Sequence, residues 1–376
     1  MELKTDFATF LKDIRPTDSM QSDCRTGHKN LRQRLHEDGE LQPILVSDFL
    51  QGSYRRSTAV RPKNEKRSDV DIIVVTKLSE AEFTPKKAME LFVPFLNRHY
   101  KDRWKAQGRS FGIELSYVDL DLVITSAPSE SEYGILRSES VTTDEDIAEA
   151  IDWRLSQSWL SLENRGQRFD AKALLEKAKE EPEWKSKPLR IPDRDVNIWE
   201  DTHPLEQIRW TRNKNQATNG HFVNVVKCIK WWWLEKFEEP KPPKGFPLER
   251  IVGDCCPDDI EFVAEGLVLT LENIVSRYRV YAALKGKPQL PDYGVPTHDV
   301  LARVTANDFG MFYEQSKNAA SLAKRAYDSP DRVEAGNLWR ELLGSRFPAP
   351  PTSSGSKNTG YSTPTEPAVP GSGRFA

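Results

Sequence analysis

Residues 50–75 read LQGSYRRSTAVRPKNEKRSDVDIIVV, and both the fold class and the chemistry turn on how this stretch must fold. A strand-like run, ILVSDFLQ at 44–51, leads into Gly52-Ser53, and a second run, VDIIVV, opens behind Asp69 and carries Asp71. Successive side chains of a strand point to opposite faces, so Asp69 and Asp71 stand side by side on one face. The apolar IIVV after them makes this a buried strand, where two adjacent carboxylates repel each other unless a cation lies between them. Oxygen-only ligands favour Mg²⁺, which keeps water and substrate phosphates in the rest of its shell. Gly52 lets the backbone come close to a phosphate, and Ser53 adds a hydroxyl beside backbone N–H groups. Alone, a GS pair says almost nothing, and an Asp-x-Asp pair is commonly solvated surface. The joint pattern of strand, GS turn and acid-headed strand points to phosphoryl transfer.

Two-metal chemistry needs a third carboxylate from another strand. IELSYVDLDLVITSAP, read as a strand over 113–124, offers Asp119 and Asp121 on one face, so the two-residue period does not choose between them. Asp121 is favoured because Leu122-Val123-Ile124 comes after it as IIVV comes after Asp71, with Asp119 in reserve as a salt-bridge or strand-end carboxylate.

Outward from these strands, Phe7, Phe10, Leu11 and Ile14 make one stripe of an opening helix that Pro16 helps to stop. A second helix is expected over 19–36 and an amphipathic one over 86–100. Beyond residue 140 the strand signals thin out, and 144–180, 205–237, 258–284 and 308–343 read as helices. LRIPDRDVNIWEDTHP holds too many Pro and Asp for regular structure, and EEPKPPKGFP reads as a rigid turn. From Pro348 onward 19 of 29 residues are Pro, Gly, Ser or Thr, so disorder is expected there. The expectation is an α+β chain of two lobes: a catalytic core with N-terminal helices over 1–140, a mostly helical nucleotide-binding lobe over 141–347, and a tail over 348–376.

A chain of 376 residues with 38% hydrophobic and 30% charged content suits a two-lobed protein with a cleft. It carries no run of roughly 18 apolar residues and no signal-peptide pattern, from which a cytoplasmic location and no membrane partner are expected. The net charge of −3 and a pI near 6.2 argue against wrapping long nucleic acid and favour small nucleotides. Four cysteines make no disulfide framework in that compartment, and Cys255-Cys256 lack the further Cys or His that zinc requires.

The whole pattern resembles the DNA-polymerase-β-like nucleotidyltransferases, and within them the CD-NTase branch, relatives of cyclic GMP-AMP synthase and oligoadenylate synthase. GSYRRSTAVRP, IPDRDVNIWEDTHPLEQIRWTRNKN, VVKCIKWWW, PDYGVPTHDVL and LWRELLGSRFP all resemble blocks of that branch, covering nearly all of residues 1–347. The resemblance implies that Gly52 and Ser53 contact a donor triphosphate while Asp69, Asp71 and Asp121 bind two Mg²⁺ ions, or Mn²⁺. It implies nucleoside triphosphates, ATP and a second NTP, as substrates. The product would be a cyclic di- or trinucleotide second messenger of bacterial anti-phage (CBASS) signalling, bound by a downstream effector that does not bind the enzyme. In 222–233 an apolar stripe of Phe222, Val225, Val226, Ile229 and Trp233 is flanked by Lys227 and Lys230, ordinarily a solvated rim. The resemblance assigns Lys230 to the donor phosphates, with Lys214 a weaker candidate. Trp231 to Trp233 are expected in the core, and Tyr54 is a candidate base contact whose alternative is core packing. In some members of the branch a flexible C-terminus is joined covalently to other molecules by a ubiquitin-transfer-like enzyme, and Ala376 is compatible with that or with an inert tail. Two rival readings stand beside the cyclase: a nucleotidyltransferase acting on RNA ends or another hydroxyl, and a catalytically silent nucleotide-sensing module.

Overall fold

In the computed structural model, which describes residues 1–64, 66–126, 188–237 and 239–351, the run headed by Asp69 is an interior strand of a mixed sheet. The strands are β1 (Leu45–Gln51), β2 (Asp69–Thr76), β3 (Trp104–Ala106), β4 (Phe111–Glu114) and β5 (Asp119–Thr125), in the order β1-β2-β5-β4-β3. β2 and β5 are parallel, and every other pairing in the sheet is antiparallel. A separate ribbon pairs β6 (Leu189–Asp193) with β7 (Ile198–Thr202). The helices are α1 (Lys4–Ile14), α2 (Asp18–Glu37), the single turn α3 (Gly52–Arg55), α4 (Pro85–Glu90), α5 (Val93–Tyr100), α6 (Pro204–Ala217), α7 (Phe222–Glu235), α8 (Phe246–Cys255), α9 (Val263–Ala283), α10 (Ala306–Asp328) and α11 (Arg332–Leu343). The expected helix at 144–180 and the tail from 352, including Ala376, lie outside the described residues.

The strand period decides which way each residue of the sheet faces. Val70, Ile72 and Val74 of β2, with Leu120, Leu122 and Ile124 of β5, pack with Leu31 and Leu35 of α2 and Phe95 and Leu96 of α5. Ile73, Val75 and Val123 point the other way, against Leu189 and Ile191 of the ribbon. Asp69, Asp71, Asp119 and Asp121 continue that second face toward the strand starts, where the apolar cover gives out.

A second core surrounds α7, where every residue from Phe222 to Trp233 is buried. It gathers apolar residues of α8, α9, α10 and α11, and also Phe7, Phe10, Leu11 and Ile14 of α1, the first helix in the chain. Trp231 to Trp233 lie inside it, as expected of core residues, and the Trp231 indole donates to the Leu343 carbonyl at 3.1 Å. Lys227, expected at a solvated rim, is fully buried there. Cys255 and Cys256 are free and buried in the same core, and burial pushes their thiols up to about 12 and about 11.

Several expected elements are divided. The strand read over 113–124 is two antiparallel strands, because Ser116 and Tyr117 form a turn in which Leu115 N–H donates to the Val118 carbonyl at 3.0 Å. The helix read over 86–100 breaks at residues 91 and 92, ahead of Pro94, which has no N–H to continue the ladder. Residues 205–237 form two helices that part at Gly220, whose φ is +82°. Residues 308–343 part at Ser329-Pro330. LRIPDRDVNIWEDTHP, read as irregular, is the β6–β7 hairpin: Asp193 accepts from the N–H of Asp195 and Val196, and Asn197 takes φ +56° in the turn.

Candidate active site

The parallel register of β2 and β5 builds the site. Asp69 lies opposite Asp119, and Asp71 opposite Asp121, across one pair of neighbouring strands. Of the two candidate acids on β5, Asp119 is ion-paired, accepting from Arg67 Nε at 2.7 Å. Asp69, Asp71 and Asp121 remain together, each offering an oxygen, with all three atoms within 4.8 Å of one another. Asp121 is steadied from β4's side: Gln107 Nε2 donates to Asp121 Oδ1 at 3.2 Å, and Ser110 Oγ donates to Gln107 Oε1 at 3.1 Å.

Burial raises all three acids, and crowding of like charges adds to it at Asp69 and Asp121. Loss of solvent, then repulsion from Asp71, Asp121 and Asp119, pushes Asp69 up to about 8. Asp121 is pushed up to about 6 by the same loss of solvent and by Asp71 and Asp119. Asp71 is raised chiefly by burial, against the pull of Arg56. Such a trio is short of positive charge, and an all-oxygen donor set of this size fits a hard divalent cation such as Mg²⁺ or Mn²⁺. Among the described residues it is the group of three such ligands that comes together.

Gly52 is required here by geometry. It opens α3 with φ +73°, and a Cβ at this position would overlap Asp71 Oδ2. The turn is closed by Thr58 and Ala59, whose N–H groups donate to the Ser53 carbonyl at 2.9 and 3.2 Å. Ser53, Tyr54, Asp69 and Lys230 line a cavity of about 240 Å³. A second cavity, of about 350 Å³, is lined by Gln51, Asp71, Gln107, Asp121 and Arg303 among others. Tyr54 is 3% exposed and packs into the sheet core at the cavity wall.

Lys230 reaches the site from α7. Its Nζ donates to the Thr58 carbonyl at 3.1 Å and to Glu249 Oε1 at 2.8 Å. Lys214 instead pairs with Asp258 at 2.6 Å and lines neither cavity. Three participants do not stand out in the sequence. Glu249 sits on α8, a helix whose pattern does not announce itself; its one legible sign is an acid three residues before the buried Val252 in FPLERIVGDC. Arg56 lies within the Gly52-Ser53 turn, where nothing sets it apart from Arg55. Gln107 lies in the β3–β4 turn and carries no local pattern at all.

Comparison with known proteins agrees with this geometry. Residues 1–135 match the Second Messenger Oligonucleotide or Dinucleotide Synthetase domain. The chain is 48% identical over 383 residues to a probable cyclic AMP-AMP-GMP nucleotide synthase of Salmonella paratyphi B, covering 100% of both chains. It is 47% identical over 389 residues to the cyclic AMP-AMP-GMP synthase of Enterobacter hormaechei, again covering 100% of both. Its fold is similar to that of the Bradyrhizobium diazoefficiens CD-NTase CdnG, solved in complex with GTP, with a TM-score of 0.64, 11% identity, and coverage of 91% of this chain and 95% of that one. Full-length identity near one half, a synthetase domain over the sheet and the paired acids of β2 and β5 converge: the chain belongs to the CD-NTase family of nucleotidyltransferases, the cyclic oligonucleotide synthases.

Proposed function

We propose that this protein condenses two ATP and one GTP into cyclic AMP-AMP-GMP, the product for which its relatives are named, as a second messenger in anti-phage defence. Three phosphodiester bonds form and three pyrophosphates leave, so the atoms balance. The observation that carries the chemistry is the meeting of Asp69, Asp71 and Asp121 within 4.8 Å beside the Gly52-Ser53 turn.

Asp69, Asp71 and Asp121 would together hold the ions, presenting them to the donor triphosphate and the attacking ribose hydroxyl. Two bound Mg²⁺ ions supply charge neutralisation at the triphosphate and activation of that hydroxyl for in-line attack on the α-phosphate. Gly52 brings the backbone within reach of the phosphates, and Ser53 offers its hydroxyl and N–H at the mouth of the cavity. Lys230, at the wall of that cavity, lends positive charge to the donor phosphates. Gln107 holds Asp121 in one orientation, which preserves the ligand geometry through each of the three rounds. The second cavity, bounded by Asp121 and Arg303, receives the acceptor nucleotide and then the linear intermediate.

Purified protein incubated with Mg²⁺ and labelled ATP and GTP, then phosphatase, tests this reading. A phosphatase-resistant product with the mass of a cyclic trinucleotide, lost in Asp71→Asn, is expected. Products that all remain phosphatase-sensitive would sink the cyclase reading and leave transfer to a linear end.

A further inference from the structure

The turn that begins at Gly52-Ser53 is gripped from the other core. Glu249 of α8 accepts three hydrogen bonds: from Arg56 Nε at 3.0 Å, Thr58 Oγ1 at 2.9 Å and Lys230 Nζ at 2.8 Å. One turn earlier on the same helix, the Phe246 ring faces the Arg56 guanidinium at 5.1 Å. Lys230 also donates to the Thr58 carbonyl, and Thr58 N–H to the carbonyl of Ser53. Arg56, Thr58, Glu249 and Lys230 are all at least nine-tenths buried, so this is a desolvated charge cluster of two cations and one anion. The turn that carries Arg56 lies directly against Asp71: a Cβ on Gly52 would overlap Asp71 Oδ2, and the Arg56 N–H donates to the Gly52 carbonyl at 3.1 Å.

We propose that Glu249 is a positioning residue of the nucleotidyl transfer: it fixes the phosphate-binding turn through Arg56 and Thr58, and its charge keeps Arg56 and Lys230 from displacing a divalent cation at Asp71. The inference rests on the proposed role of Asp69, Asp71 and Asp121 as ion ligands. Without the Glu249 charge, two uncompensated cations are left at the turn that abuts Asp71, in a medium that screens poorly. They then compete with the metal for the same carboxylate. Structurally, the loss leaves Arg56 and Lys230 buried without their shared acceptor, which loosens the turn from α8.

The two effects separate by measurement. Titration calorimetry with Mn²⁺ alone is run on the full chain and on Glu249→Gln, Arg56→Gln, the double variant and Asp71→Asn, with thermal unfolding alongside. Glu249→Gln, nearly isosteric, is expected to bind Mn²⁺ about tenfold more weakly. Arg56→Gln in that background removes the excess cation and returns the affinity to within about threefold of wild type. By itself Arg56→Gln binds Mn²⁺ more tightly than wild type, an arm that decides the matter even where Glu249→Gln does not fold. Wild-type affinity in Glu249→Gln, or no recovery in the double variant, overturns the charge-balancing role and reduces Glu249 to a structural tie. Wild-type Mn²⁺ binding in Asp71→Asn overturns instead the carboxylate site on which the inference rests.

Discussion

Three carboxylates are crowded together at the start of two strands, and that crowding dictates what their removal does. Asp69→Ala or Asp71→Ala is expected to lower synthesis by about a thousandfold or more, the worth of several kcal/mol of lost charge stabilisation. Thermal unfolding of either variant stays near or above wild type, since Asp71 repels both Asp69 and Asp121, and Asp69 is itself repelled by Asp71 and Asp121. Product assay and unfolding curves read the two quantities separately, and equal loss of both contradicts the assignment. Gly52→Ala behaves differently. It forces a side chain into positive φ and onto Asp71 Oδ2, so it costs about 1–3 kcal/mol of stability together with activity, measured by denaturant unfolding and product assay.

At the scale of elements, α7 is the hub of the second core, and α6 and α8 are held against each other beside it. Trp232→Ala, which empties a fully buried site, is expected to cost about 3–5 kcal/mol in urea unfolding. Gly253→Ala probes a tighter joint. Trp210 and Tyr293 stack there with ring centroids 3.6 Å apart, and an added Cβ would lie 2.5 Å from each. About 1–3 kcal/mol of overpacking is expected, and an unchanged midpoint would show that the stack yields freely. The strands and helices that carry strong periodicity are legible in sequence: the IIVV strand, the stripe of α1, the buried tryptophans. What the pattern does not show is interruption. Apolar alternation continues from Ile113 through Leu115 and Tyr117, so nothing local announces the turn at Ser116 that separates β4 from β5. For the site, Asp69 and Asp71 are readable because their spacing lies within one strand. What sets Asp119 apart from Asp121 is its pairing with Arg67, which only the folded register reveals. Glu249 and Gln107 arrive from segments whose own sequence says nothing about the sheet they serve.

For the molecule as a whole, the raised acids set a pH dependence of stability. Folded Asp121 and Asp69 titrate at about 6 and about 8, above the ordinary 3.8. The folded chain thus holds these protons more tightly than the unfolded one. Their contribution is fully present below pH 3.8 and is lost as pH rises through about 6 and about 8. Glu249, raised by burial but drawn down to about 2 overall by Arg56 and Lys230, stays ionised across that range and does not alter the sign. Metal-stripped protein should therefore unfold at lower temperature as pH rises from about 5 to about 8, and a variant with Asn at 69, 71 and 121 should show a shallower trend, the remainder belonging to His36, raised by its bond to Asp48, and to His99 and His221, lowered by burial. Saturating Mn²⁺ should reverse it, adding about 2.7 kcal/mol at a hundredfold excess over Kd in wild type and nothing in Asp71→Asn. Scanning calorimetry with and without chelator checks each arm, and a flat profile in the stripped wild type contradicts the coupling.

The first helix belongs to the last core. Phe7 meets Trp339 edge to face at 4.9 Å and Phe347 at 5.2 Å, and the Trp339 indole donates to the Met1 carbonyl at 3.3 Å. The apolar stripe of α1 is therefore only partly covered, by α7 and α9, in any fragment that lacks α11 and Phe347. The sheet that carries the aspartates closes within residues 45–125, whereas the core that seats Lys230 and Glu249 draws on residues from Leu3 to Phe347. A chain cut before α11 is thus expected to keep its paired carboxylates but to lose the packing that presents Lys230 and Glu249 to them.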